Sequence, residues 1–191
     1  MTVSIGADGL TRCYWGSADP EYLRYHDEEW GVPLHGDRQL FEKLSLEGFQ
    51  AGLSWITILK RRPAFREVFH GFELAEVAAM TQAEADSLME DARIIRNRAK
   101  IEATISNARI ALELTRDSPG ALDSLLWGCA PVNRPRPAEI PAVTEESTAM
   151  STALRKLGFR FVGPTTMYAL MQSSGMVDDH DPQCWRAGAV R

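Results

Sequence analysis

Four potential metal ligands lie near the two ends of the chain. Cys13 and His26 lie near the start of the 191 residues, and His180 and Cys184 lie near the end. Thiolate and imidazole groups suit Zn²⁺, and four such ligands complete a tetrahedron. If they bind one ion, the first and last segments of the chain must meet in the fold. The alternative is two buried thiols and two hydrogen-bonded histidines.

The remaining composition favours a cytoplasmic protein. Three cysteines without framework spacing indicate a reducing environment, and Cys129 is left as a buried thiol if the other two bind metal. The first residues lack the basic and apolar segments of a secretory signal. No apolar run approaches membrane-spanning length, so we expect no membrane partner.

The charged residues are unevenly distributed. A formal net charge of −5 argues against nonspecific nucleic-acid binding. Basic residues nevertheless cluster within 60–62, 93–100 and 155–160. A basic surface on an acidic protein is typical of a local phosphate contact. The alternative is that these clusters are solvated helix faces.

Helical signals dominate and predict an all-α chain without a convincing series of strands. Asp19 followed by Pro20 predicts a helix start, and residues 81–84 form a capping box. A longer helix is predicted from about Asn97 to Leu114.

Several boundaries follow from proline, glycine and capping residues. Asp37 is predicted to cap a helix that Gly48 and Gly52 interrupt, and Pro63 is predicted to begin a short separate segment. Prolines make 131–147 irregular, and helices are predicted over 149–157 and from Pro164.

Two stretches are candidates for chemistry. In residues 46–55, the lone carboxylate of Glu47 lies among apolar residues, before two glycines and Trp55. A carboxylate walled by aromatic rings can stabilise a cation; the alternative is a surface Glu at a helix end. Around 91–100, a helical hairpin with Arg96, Arg98 and Lys100 presents amides and positive charge that suit phosphate.

Long ordered motifs resemble the 3-methyladenine DNA glycosylase I family. The matching stretches are CYWG at 13–16, DP at 19–20, YHDEEWGVP at 25–33, LEGFQAGLSW at 46–55, FRFVG at 159–163, DH at 179–180 and Cys184. The similarity covers nearly the whole chain.

The resemblance implies a fold of the helix–hairpin–helix DNA glycosylase superfamily, with a structural zinc that joins the termini. Its zinc ligands correspond to Cys13, His26, His180 and Cys184. A single glycosylase domain is expected, with one helical lobe over about 35–130 and a second made of 1–34 and 131–191. The hairpin corresponds to Ala92–Lys100.

The resemblance also implies excision of 3-methyladenine from alkylated duplex DNA. The base pocket corresponds to Glu47, with Tyr25 and Trp55 as aromatic walls, and Glu47 has a base-recognition and catalytic role. The resemblance places no lysine for Schiff-base chemistry, so a monofunctional enzyme is expected. Gly52 and Leu53 are the nearest candidates for a wedge into the DNA, and no obligate protein partner is expected.

This chain departs from the family pattern at three positions. Arg93 and Ala99 stand where family hairpins often have glycine, and Phe49 stands where some relatives have a polar residue. Two other functions compete with the glycosylase: a noncatalytic binder of alkylated or distorted DNA, and a zinc hydrolase with Glu47 as base. Four protein ligands argue against the hydrolase, because catalytic zinc keeps an open position.

Overall fold

The computed structural model describes residues 3–17, 19–132 and 139–188. Within these ranges, nine α-helices and one small β-hairpin form the fold. The helices are α1 (Pro20–Glu28), α2 (Asp37–Gln50), α3 (Trp55–Val68), α4 (Leu74–Ala79), α5 (Gln82–Leu88), α6 (Arg98–Thr115), α7 (Ala121–Trp127), α8 (Glu145–Lys156) and α9 (Pro164–Ser173). Among the described residues, none of these helices is long and apolar enough to span a membrane.

The mainly helical prediction is confirmed, but it missed a two-stranded sheet. Strands β1 (Val3–Ile5) and β2 (Thr11–Cys13) pair antiparallel, with Val3 opposite Cys13. Three-residue strands are too short to show an alternating pattern. The hairpin holds Cys13 in place at the start of the fold.

Helix α2 forms the centre of the molecule. All its residues from Leu40 to Phe49 are buried, and it packs against α3, α6, α7 and α9. A helix that is buried on every side lies inside the core. The charged side chains of Glu42, Lys43 and Glu47 are therefore enclosed by protein.

Three predicted boundaries in this region are wrong. Gly48 does not interrupt α2; its bare α-carbon lets Phe161 approach, since a Cβ there would lie 3.4 Å from that of Phe161. Pro63 lies inside α3, where packing of Arg62 and Phe65 in the core keeps the helix continuous despite one missing N–H donor. Asp37 lies in the first turn of α2, and its carboxylate accepts hydrogen bonds from Gly120 and Asp123 of the α7 start.

Other capping predictions are confirmed. Asp19 accepts a hydrogen bond from the Glu21 amide, and Thr81 forms the predicted capping box with Glu84. Helix α8 begins four residues before its predicted start, because a second capping box begins at Thr144.

One hydrophobic core extends through the described chain. Its buried members run from Leu40 to Val177 and include both predicted lobe ranges. The division into two lobes stays a prediction.

Candidate active site and metal cluster

An open cavity of about 280 Å³ lies where α1, α2, α3 and α9 meet. Its volume is near the lower end for small-molecule pockets. The structure brings Glu47, Tyr25 and Trp55 together here, although they come from three different helices. The other lining residues are Trp15, Tyr22, Trp30, Gln50, Ile140, Ala169, Gln172 and Ser173.

Aromatic rings form most of the cavity wall. The ring centres of Tyr25 and Trp55 are 5.5 Å apart at 45°, and Trp15 meets Tyr22 and Trp30 edge to face. The buried Nε1 of Trp55 has no hydrogen-bond partner within the described part of the chain. Such a cage suits a planar, electron-poor ring with an acceptor atom at its edge.

Glu47 provides the carboxylate of the cavity. Its side chain is 3% exposed, and the Ser173 hydroxyl donates to Oε1 over 2.8 Å. Burial raises the pKa of Glu47 to about 7, while Lys43 and Ser173 oppose that rise. The carboxylate is therefore poorly solvated, and a cation entering the cavity would stabilise its ionised form.

Two groups that contact this centre are absent from the residues predicted for the site. Lys43 lies one helical turn before Glu47, and its ammonium donates to the Tyr25 hydroxyl over 3.2 Å. That i, i+4 spacing could have revealed Lys43. Ser173 is 126 residues from Glu47, and no local pattern predicts their contact.

The four predicted metal ligands meet in one buried cluster. Their ligand atoms lie within 4.8 Å of one another. Cys184 Sγ is 3.4 Å from His26 Nε2 and 3.7 Å from His180 Nδ1, and Cys13 Sγ is 3.8 Å from His180 Nδ1. Tetrahedral zinc bonds would separate neighbouring sulfur and nitrogen ligands by about 3.6 Å. The cluster therefore has the size of a tetrahedral site.

Surrounding groups orient both imidazoles. The ring nitrogen of His26 outside the cluster lies 2.8 Å from Asp27, and that of His180 lies 3.2 Å from the Trp30 carbonyl. Arg12, itself 2% exposed, donates to both oxygens of Asp27. Carboxylate and carbonyl partners of this kind fix the tautomer of metal-binding histidines.

The cluster adjoins the aromatic cavity. Trp30 packs edge to face on His180 at 4.6 Å, and Trp15 packs on His26 at 5.2 Å. Tyr25 precedes His26 on α1. The position of the cavity wall therefore depends on the region where the two ends of the chain meet.

The turn after α2 presents the predicted wedge residues. Gly52 has φ +86°, and Leu53 is 40% exposed. Beside this turn, Phe161 is 37% exposed and has φ +56°, which is strained for a residue with a side chain. Phe49, in contrast, is buried against Phe65 and does not line the cavity.

Lys100 does not have the exposed position that a phosphate contact requires. Its side chain is buried, and Nζ donates to the carbonyl oxygens of Phe49 and Ala51 over 2.9 Å and 2.7 Å. These carbonyls end α2, where a cation is favourable. Lys100 therefore fixes the turn that carries Leu53, and the prediction of a direct DNA contact is corrected.

The helical hairpin is formed by α5, the segment 89–97 and α6. Arg96 is exposed and makes no hydrogen bond or ion pair with any described residue, whereas Arg98 pairs with Asp86. Neither Arg93 nor Ala99 has positive φ; outside glycine, the described residues with positive φ are His70, Phe72 and Phe161. The hairpin thus closes without the two glycines, and Arg93 pairs with Asp91 and Glu67.

A helical fold with an aromatic cavity that contains the buried carboxylate of Glu47 defines a protein that can enclose a planar cationic ring. A family model described as Methyladenine glycosylase matches residues 15–187. The chain belongs to this methyladenine glycosylase family.

Individual relatives agree with that assignment. DNA-3-methyladenine glycosylase 1 of Escherichia coli (strain K12) is 45% identical over 181 residues, which cover 92% of this chain and 96% of the relative. A crystal structure of a 3-methyladenine DNA glycosylase I superposes with a TM-score of 0.86 at 44% identity, covering 91% and 98% of the two chains. The Staphylococcus aureus enzyme gives a TM-score of 0.84 at 35% identity, covering 92% and 96%.

Proposed function

We propose that the protein is a DNA glycosylase that hydrolyses the N-glycosidic bond of 3-methyladenine in alkylated duplex DNA. The observation that carries this proposal is the buried carboxylate of Glu47 inside the aromatic cavity. Family membership supports the reaction class. The structure of a related glycosylase variant in complex with 3-methyladenine supports the substrate; it has 34% identity and covers 93% of this chain.

The cavity requires the damaged nucleotide to leave the base stack. Flipping costs a few kcal/mol, and stacking on Tyr25 and Trp55 recovers part of that cost. N3-methylation gives adenine a positive charge in the nucleotide. Electron-rich rings and the Glu47 carboxylate attract this charge, whereas a neutral normal base gains less. Charge recognition therefore contributes to selectivity.

Bond cleavage follows from the same charge. The C1′–N9 electron pair leaves with the base, which becomes neutral, and the sugar develops oxocarbenium character. A fixed carboxylate nearby stabilises that positive charge. Water then bonds to C1′ and loses a proton. We propose a monofunctional enzyme, in which water and not a lysine amine attacks C1′.

The DNA-binding surface that we propose contains the hairpin and the turn after α2. Arg96, Arg98 and the first amides of α6 would bind phosphate, because a helix N-terminus favours an anion. Leu53, which follows Gly52 on the turn after α2, is the proposed wedge into the gap left by the flipped base. Lys100 supports this turn from inside the protein.

One structural zinc ion fits the cluster of Cys13, His26, His180 and Cys184. Two thiolates and two imidazoles are a common zinc ligand set, and four ligands leave no open position for chemistry. When bound, the ion would tie the first segment to the last. The zinc-hydrolase alternative lacks the open position that it requires.

Metal analysis tests the zinc proposal. Cys184→Ser is expected to lose zinc and stability, whereas Cys129→Ser is expected to keep its zinc, since the Cys129 thiol lies outside the four-residue cluster and donates to the Leu125 carbonyl. Full zinc content in purified Cys184→Ser protein would refute the proposed ligand set.

Abasic-site formation separates the enzyme from a noncatalytic binder. Methylated duplex DNA is incubated with or without the protein and then divided, with and without mild alkali at low temperature, and breaks in the protein-free sample are subtracted. We expect strand breaks only after alkali, because a monofunctional enzyme leaves an intact abasic strand. Binding of the DNA without alkali-labile sites would support the binder, and breaks without alkali would reveal lyase activity.

A further inference from the structure

Lys43 is a buried cation behind the aromatic cage. Its side chain is 7% exposed, and Nζ lies 4.7 Å and 5.3 Å from the ring centres of Tyr25 and Trp55. The hydrogen bond to the Tyr25 hydroxyl fixes the ammonium against one of these rings. A cation therefore already lies beside the rings that form the pocket.

Lys43 does not line the base cavity itself. It lines two other cavities, of about 370 Å³ and about 140 Å³, and Ser173 lines both the smaller one and the base cavity. The larger of the two has a mainly polar lining and has room for water that could accept the remaining ammonium protons. Lys43 can therefore act on a bound base through its neighbours, but not by contact.

The neighbouring carboxylates are not equivalent. Glu29 is held by both terminal nitrogens of Arg62. Glu42 is held by Arg66. Glu47 has only the neutral hydroxyl of Ser173 as its hydrogen-bond donor among the described residues. Because a buried ion needs a compensating charge, the ammonium of Lys43 matters most to Glu47.

We infer that Lys43 is a positioning residue for the proposed reaction: its ammonium group favours the ionised form of Glu47 in the empty pocket and holds the Tyr25 hydroxyl. This inference rests on the proposed function, because an ionised Glu47 is what recognises the cationic base. The residue acts through Glu47 and Tyr25.

The direction of the electrostatic effect is set by the groups around the pair. Lys43 lowers the pKa of Glu47 against a larger rise from burial, and burial lowers the pKa of Lys43 to about 8. The charged or titratable groups that act on Lys43 include Glu47 and Glu42 on α2, Tyr25 on α1, Glu29 after α1 and Arg62 on α3. Arg38 and Arg66 line the larger of its two cavities, and Glu28 lines the smaller. Loss of the ammonium removes the main charge that opposes protonation of Glu47. The pKa of Glu47 then rises, and less enzyme is active at low pH.

The test compares kcat/KM for 3-methyladenine release across pH in wild type, Lys43→Met, Lys43→Arg and Lys156→Met. Met fills a similar volume without charge, and the exposed Lys156 serves as the matched control. The acid limb is the part of the pH profile in which kcat/KM falls as pH decreases. We expect this limb to move up by about one pH unit in Lys43→Met, so kcat/KM falls by about tenfold more at acid pH than at alkaline pH. Lys43→Arg and Lys156→Met are expected to keep the wild-type limb.

The possible outcomes test the role of Lys43 separately from the proposed glycosylase activity. No release by wild type would refute the proposed function before any variant is compared. An active wild type with an unshifted limb in Lys43→Met, or with an equal loss at every pH, would overturn the role of Lys43 alone. An upward shift of the acid limb in Lys43→Met that is absent from Lys43→Arg supports the role of Lys43.

A second measurement applies if Lys43→Met does not fold. The chain has four lysines, so ¹⁵N NMR of labelled lysine amines can follow Lys43 in wild type and in Glu47→Gln. We expect the Lys43 amine to lose its proton at lower pH in Glu47→Gln, because the carboxylate that most favours its ammonium form has gone. An unchanged titration of Lys43 would contradict the coupling.

Discussion

Replacement of Glu47 by Gln removes the charge of the pocket and almost nothing else. The two side chains have similar shape, and Ser173 can still donate to an amide oxygen as it does to Oε1. The amide then directs its NH₂ group toward the cationic base, so attraction becomes repulsion. Loss of one preorganised electrostatic contact with the transition state costs about 3–4 kcal/mol, or about 10²–10³-fold in rate. We expect Glu47→Gln to lose that much excision while keeping its fold.

The pH profile gives this prediction a second signature. Burial raises the pKa of Glu47 to about 7, so wild-type kcat/KM should rise as pH increases through that value and Glu47 ionises. The residual activity of Glu47→Gln should lack this limb. Glu76→Gln, at an exposed position on α4, is the matched control and should behave as wild type.

The assay measures bases released from methylated duplex DNA under single-turnover conditions, with circular dichroism to verify folding. Glu47→Gln with wild-type activity would refute the role of the carboxylate. A Gln variant that retains the same acid limb would show that another group titrates.

Three further predictions address other parts of the structure. Ser173→Ala removes the hydroxyl that donates to Glu47, so the acid limb should move to higher pH with about a threefold to tenfold loss below it. Arg12→Met leaves Asp27 without its guanidinium partner. The free energy of unfolding, measured with denaturant, should fall by about 3 kcal/mol, which is the lower end for a broken buried ion pair. Arg96→Ala should weaken binding to duplexes of any sequence and reduce the salt dependence of binding by about one phosphate contact.

Each of these predictions has a contrary result. If the acid limb of Ser173→Ala does not shift, the Ser173 hydroxyl does not help to set the pKa of Glu47. Unchanged stability of Arg12→Met would mean that the link from Arg12 through Asp27 to the cluster is dispensable. An unchanged salt slope in Arg96→Ala would exclude that side chain from phosphate binding.

Short-range signals in the sequence predicted much of the helical framework. The Asp19 cap, the Thr81–Glu84 capping box and the α6 start after Asn97 depend on hydrogen bonds within one turn, so they are visible locally. The long motifs also assigned Tyr25, Glu47 and Trp55 to one pocket, and the three side chains do line the same cavity.

Contacts between distant segments could not be predicted in the same way. Ser173 reaches Glu47 only because α9 packs against α2, and Lys100 is buried only because α6 crosses the end of that helix. In the sequence, Lys100 belongs to a cluster of basic residues. In the fold, its side chain is buried, and its ammonium group donates to carbonyl oxygens at the end of α2. Pro63 and Gly48 were misjudged because tertiary packing overrides local helix-breaking preferences.

Chromatography of the bases released from methylated duplex DNA tests the central claim most directly. We expect free 3-methyladenine to appear and 7-methylguanine to stay in the DNA. A folded protein that releases no 3-methyladenine would contradict the proposed activity.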